Sequence, residues 1–150
     1  MANNTEQLVT CDDVGNVKCW DIKFSVPKLI NLRQFSDTVF TCACLTTDGV
    51  ILGTLFGEII VLQQGKTICT INAHTGSVTT ITLKHNVTVS PQLCLSTGED
   101  GKILIFTALG SVIKNDVIGE YLLTGARWTS NGVVMLSAYG TSYAILHPIQ

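Results

Sequence analysis

Charged residues are scarce. Nine Lys and Arg and eleven Asp and Glu make up 13% of 150 residues, with a formal net charge of −2. That balance favours no polyanion, and the cations are scattered, so no nucleic-acid partner is expected. Long apolar runs are missing too. The longest, such as Ile59–Leu62 and Val133–Leu136, fall far short of a bilayer span, so no membrane insertion is expected. Residues 1–7 have neither a basic start nor an apolar stretch, which predicts no secretory signal and a cytoplasmic protein. Helical periodicity is absent from every window of about eleven residues or more. No Gly-rich phosphate loop, zinc-protease helix motif or paired-Cys zinc spacing occurs, so neither a cofactor nor a metal is expected.

Apolar residues are plentiful at 46%, enough for a real core in a chain of this length. Six of them are cysteines: Cys11, Cys19, Cys42, Cys44, Cys69 and Cys94. With no secretory signal, reduced thiols acting as small buried apolar groups are expected. Cys42 and Cys44 share one strand face, but nothing nearby completes four metal ligands. Asn3-Asn4-Thr5 and Asn86-Val87-Thr88 match the glycosylation pattern, which carries no weight without secretion.

Short apolar runs alternate with turn residues along the chain. Residues 1–7 read as a disordered or short leading segment. Leu8–Cys11 and Asn16–Asp21 are strands around Asp12-Asp13-Val14-Gly15, and Lys28–Leu32 forms a further short strand. Thr38–Leu45, Val50–Thr54, Glu58–Leu62 and Lys66–Ile71 form a group of four, with an Asp48-Gly49 turn. Ser77–Leu83, Gln92–Ser96, Ile103–Phe106 and Ser111–Asp116 form another. Leu122–Trp128, Val133–Ala138 and Ser142–Leu146 close the chain, with Asn131-Gly132 as a hairpin signal. The fold class is all-β.

The pattern repeats. Gly15, Gly57, Gly101 and Gly140 each mark the second hairpin turn of a unit, at spacings of 42, 44 and 39 residues. A period near 40 with four strands per unit is the signature of β-propeller blades. Kelch repeats are longer and carry a Gly-Gly pair that is missing here. Leu8–Asp21 ends in Trp20-Asp21. Leu95–Phe106 keeps Ser96, Asp100, Gly101 and Ile103, and Ala73-His74 precedes the third unit. These residues resemble WD40 repeats over nearly the whole chain. The resemblance implies a WD40-type β-propeller of four-stranded blades, with about 3.5 blades present: residues 8–32 (partial), 38–71, 77–116 and 122–146 (partial). Asp48–Val61 followed by Asn72–Val78 is similar to blades of the echinoderm microtubule-associated-protein-like family and to ciliary WD40 proteins.

In WD40 blades a His, an Asp, a Ser or Thr and a Trp form a hydrogen-bonded chain that gives buried polar groups their partners. The resemblance assigns this role to His74, Asp100 and Ser96, and to Thr10 and Trp20 in the first unit. Phe106 stands where the Trp donor belongs, and Val14 where the Asp belongs. The second unit has Leu52, Phe56 and Leu62 at these positions. The fourth has Ser137 or a neighbour and no His. His74, Asp100 and Ser96 also spell a hydrolase triad, but Ser96 would sit inside a strand with no nucleophile elbow.

The strands expected to line the channel, Val39–Leu45, Val78–Leu83 and Leu122–Trp128, carry only Arg127 as a charge, which argues against an enzyme on this fold. The resemblance implies instead a protein–protein interaction scaffold in a cytoskeletal, microtubule or ciliary assembly, with tubulin-associated or ciliary partners. The candidate contact residues are Asp12, Asp13, Phe56, Thr75 and Glu99. Phe56 is either an exposed anchor or packed on the next unit. Fourteen strands fall short of an ordinary ring, so a homo-oligomer, or the missing remainder of the propeller, is expected to cover the open faces.

Overall fold

The computed structural model describes residues 6–23, 25–84, 91–129 and 132–149. Both glycosylation triplets, Asn131 and most of the 1–7 segment lie outside the described residues. The chain forms fourteen antiparallel strands in four sheets, with no helix among the described residues. The first sheet is β1 (Gln7–Cys11), β2 (Asn16–Asp21) and β3 (Lys28–Gln34). The second is β4 (Phe40–Leu45), β5 (Gly49–Thr54), β6 (Glu58–Gln63) and β7 (Lys66–Asn72). The third is β8 (Val78–Leu83), β9 (Leu93–Gly98), β10 (Lys102–Thr107) and β11 (Val112–Val117). The fourth is β12 (Leu123–Trp128), β13 (Val133–Ala138) and β14 (Ile145–Pro148). Within each sheet the strands follow chain order, so every connection inside a sheet is a hairpin.

Three apolar clusters join the sheets face to face. Val17, Val50, Leu52, Ile60 and Leu62 lie between the first and second sheets. Ile51, Ile59, Val61, Cys94, Leu104 and Phe106 lie between the second and third. Leu95, Ile103, Ile105, Val134 and Leu136 lie between the third and fourth. No such cluster joins the fourth sheet to the first among the described residues. This order explains the sequence pattern. In β5, β6, β9 and β10 both faces are covered, and they read as continuous apolar runs. In β13 burial alternates instead, because one face is open.

Register irregularities recur at matching places. In the second, third and fourth sheets the first strand skips one residue against the second: Thr41, Thr79 and Thr124. Such bulges turn a strand and strengthen its twist. Their hydroxyls find new partners: Thr41 on the Val78 carbonyl (2.5 Å), Thr79 on Thr97, and Thr124 on Ser137. A second shift falls four residues after the turn glycine in the first three sheets, at Cys19, Val61 and Ile105.

The last strand departs from the sequence reading. It is Ile145–Pro148 rather than Ser142–Leu146. The Thr141 hydroxyl bonds the carbonyls of Ala138 (3.0 Å) and Tyr143 (3.2 Å), holding a wide turn where a tight one was expected. The thiols differ as well. Only Cys94 is fully buried, and the other five are half-buried. Burial pushes Cys42 up to about 11 and Cys94 up to about 12, so both stay protonated at neutral pH.

Candidate functional site

One end of the sheets is built from hairpin turns docked on inter-sheet links. Gly15, Gly57, Gly101 and Gly140 all have positive φ, between 72° and 85°. The carbonyls of the first three accept amides that begin the inter-sheet links: Phe35 on Gly15 (2.9 Å), His74 on Gly57 (3.0 Å) and Ile118 on Gly101 (2.9 Å). A side chain at Gly57 would meet the His74 carbonyl at 2.0 Å, so the turn and link touch backbone to backbone.

His74 lies in the link between β7 and β8 and is buried. Its Nδ1 is 2.9 Å from Asp100 Oδ1, and its Nε2 is 2.9 Å from Ser96 Oγ. A carboxylate only accepts, so Nδ1 carries the proton and Nε2 accepts from the Ser96 hydroxyl. Gly98 makes room for the ring, because a Cβ there would stand 2.5 Å from Nδ1. Asp100 also accepts the amides of Thr75 (2.9 Å) and Lys102 (3.2 Å). Burial lowers the pKa of His74, against the pull of Asp100, so the ring is neutral. Burial would raise Asp100, but the Thr75 amide and His74 outweigh it and hold the carboxyl below its usual range.

This connectivity matches a hydrolytic triad atom for atom, yet Ser96 is fully buried in mid-strand. The cleft of 280 Å³ between the first and second sheets is lined by Arg33, Asn31, Asp48 and Gln64, and it contains none of the three. Among the described residues no group of three or more His, Cys, Asp or Glu could hold a metal.

The other sheets differ at the same place. In the first, Trp20 Nε1 donates to Thr10 Oγ1 (3.0 Å). Asp12 is taken up by its own turn: it accepts the amides of Val14 (3.2 Å) and Asn16 (2.8 Å) and the Asn16 side chain (2.9 Å). The Asn16 side chain leads in lowering its pKa. In the second sheet Leu52 and Leu62 are buried, and Thr54 closes the turn by accepting the Glu58 amide (3.0 Å). In the fourth, Ser137 pairs with Thr124 at 3.0 Å and so stands in the place of Thr97; the place of Ser96 is held by the buried Leu136. Phe106 is fully buried and contributes only its ring.

Asp13, Thr75 and Glu99 are exposed on the turns and links of this end. Phe56 is 69% exposed and does not pack on the next sheet. Two residues not named as contact candidates from sequence share its setting. Val14 (64% exposed) and Tyr139 (77%) also immediately precede a turn glycine. The sequence signal was there in the residue before each of the four glycines.

No family model and no curated protein matches the chain. The fold is similar to two solved structures of computationally designed proteins. The Ika4 protein is 18% identical with a TM-score of 0.77, over 96% of this chain and 86% of that one. The Ika8 protein is 20% identical with a TM-score of 0.76, over 99% of this chain and 44% of that one. The likeness is one of fold, and it extends to a chain of which this one spans less than half.

Proposed function

We propose that the chain is a segment of a WD40-type β-propeller, its four sheets being blades, and that it serves as a non-enzymatic protein–protein interaction scaffold. A cytoskeletal or ciliary assembly is the setting the sequence resemblance favours. The observation that carries the reading is the exposed Phe56 on a rigid turn: the Gly57 carbonyl and the Thr54 hydroxyl hold the backbone while the ring stands in solvent. Large exposed rings on rigid supports are the usual anchors of protein recognition. The buried Ser96 and the neutral, doubly bonded His74 favour a locking role over catalysis. A panel of labelled peptides with basic, acidic and neutral sequences tests the scaffold. At least one class is expected to bind and to weaken about tenfold with Phe56→Ser, the size of one good anchor. Binding that ignores Phe56 in every class overturns the reading.

A second reading, a structural module completed by further propeller sheets, draws on the open faces. Met135 is 41% exposed on β13 and Leu8 47% on β1, whereas the equivalent faces of the inner sheets are covered. The expected result is a dimer or larger assembly of this 150-residue chain in light scattering. A monomer with one sharp unfolding transition rejects it.

A further inference from the structure

The turn end carries a segregation of charge that the net figure of −2 hides. Asp13 in the β1–β2 turn, Asp37 in the β3–β4 link, Glu99 in the β9–β10 turn and Glu120 in the β11–β12 link are all exposed there. Lys102, the cation at the start of β10, lies 3.9 Å from the Asp100 carboxylate. Arg33, near the end of β3, lies with its guanidinium 4.5 Å over the Phe35 ring and donates to the Gly65 carbonyl and Thr67. The opposite end is mixed, with Lys23, Lys28, Lys66 and Lys84 beside Asp21 and Asp48.

Apolar tips stand among these carboxylates at equivalent positions. Val14, Phe56 and Tyr139 each precede a glycine of positive φ and are 64%, 69% and 77% exposed. The fourth equivalent residue is Asp100, which folds inward onto His74 instead. The same turn geometry thus turns a side chain inward where His74 offers a partner, and outward where none exists. Large apolar groups left in water on rigid turns mark an interaction surface.

We infer that this end recognises a polypeptide segment in which lysine or arginine alternates with large apolar side chains. The inference rests on the scaffold reading and specifies its partner. The tips supply apolar anchorage, and the carboxylates select the sign of the neighbouring charges and steer approach. The same carboxylates repel the phosphates of RNA and of anionic lipid, the other partners to which exposed rings are suited. They repel an acidic tubulin surface as well.

The test uses a fluorescent peptide alternating Lys with Leu and Phe, a Glu-for-Lys version, and a version with Ser for Leu and Phe. Fluorescence anisotropy is read at low and at physiological ionic strength. The first peptide is expected to bind, more weakly as salt rises, and the other two to bind at least about tenfold more weakly. The combined Val14→Ser, Phe56→Ser and Tyr139→Ser chain is expected to lose about tenfold or more in affinity. Its melting temperature should stay close to that of the parent, because all three side chains are in solvent. Equal binding by the triple variant, preference for the Glu peptide, or tighter binding to an RNA oligomer or to anionic vesicles overturns the inference. A neutral or acidic peptide that binds through Phe56 overturns it while leaving the scaffold standing. Failure of every peptide overturns both.

Discussion

Phe106→Ala is expected to destabilise the chain by about 3–5 kcal/mol, the cost of removing a buried aromatic ring from a close-packed core. Phe106 is fully buried on β10, opposite Cys94 on β9, in the cluster between the second and third sheets. Few groups can move to fill the space. The neighbouring Ile51, Ile59 and Val61 belong to strands covered on both faces. At about 2–4 °C per kcal/mol for a chain of this size, the melting temperature falls by about 6–20 °C. Phe106→Trp separates packing from hydrogen bonding at the same position. An indole N–H would add a donor where WD40-like repeats carry one, worth about 1 kcal/mol net. The larger ring must enter a fully buried site among packed aliphatic side chains, and overpacking of that kind costs about 1–3 kcal/mol. The Trp variant should therefore unfold between Phe106→Ala and the parent. A Trp variant more stable than the parent, in thermal or urea unfolding, would show that the site has room and that the hydrogen bond decides.

The strands were legible because two local rules agree along most of the chain. Aliphatic runs alternate with turn residues, and a glycine of positive φ stands in the second hairpin turn of each unit at a near-constant spacing. His74, Asp100 and Ser96 were legible only through family resemblance, since they are 22 and 26 residues apart and nothing local links them. Three things were not legible. The length of the last turn depends on the Thr141 hydroxyl, which could equally have faced water. The threonine bulges at Thr41, Thr79 and Thr124 interrupt strands, and only the last has a glycine, Gly125, beside it. The exposure of Phe56 (69%) depends on what packs against its turn, a property of three-dimensional packing. The charge segregation of the two ends was hidden for a related reason: its members come from turns and links scattered along the whole chain.

Asp100→Ala is expected to cost about 2–4 kcal/mol, because one substitution strands several donors at once. The carboxylate serves His74 Nδ1, the Thr75 amide and the Lys102 amide, and its side chain is 6% exposed. Water can reach some of these groups after truncation, which keeps the loss below the full sum. Asp100→Asn retains one acceptor oxygen and should lose less. The pH profile distinguishes the network from simple packing. Burial lowers the pKa of folded His74, so below its ordinary value of 6.5 the unfolded chain takes up a proton that the folded chain refuses. Stability therefore falls as pH drops below about 6.5, until the folded ring protonates in turn. Asp100, lowered in the folded state, contributes stability above its ordinary 3.8 that is lost as pH falls through its folded value. Two successive losses are thus expected on acidification, the first from the ring and the second from the carboxylate. His74→Gln should remove the first and leave a flatter profile between pH 7 and 5. Asp100→Ala should keep it and steepen it, because the ring then loses the partner that holds its pKa up. Melting temperatures measured across that range decide the matter: a His74→Gln chain with the parent's slope would exclude His74 as the titrating group.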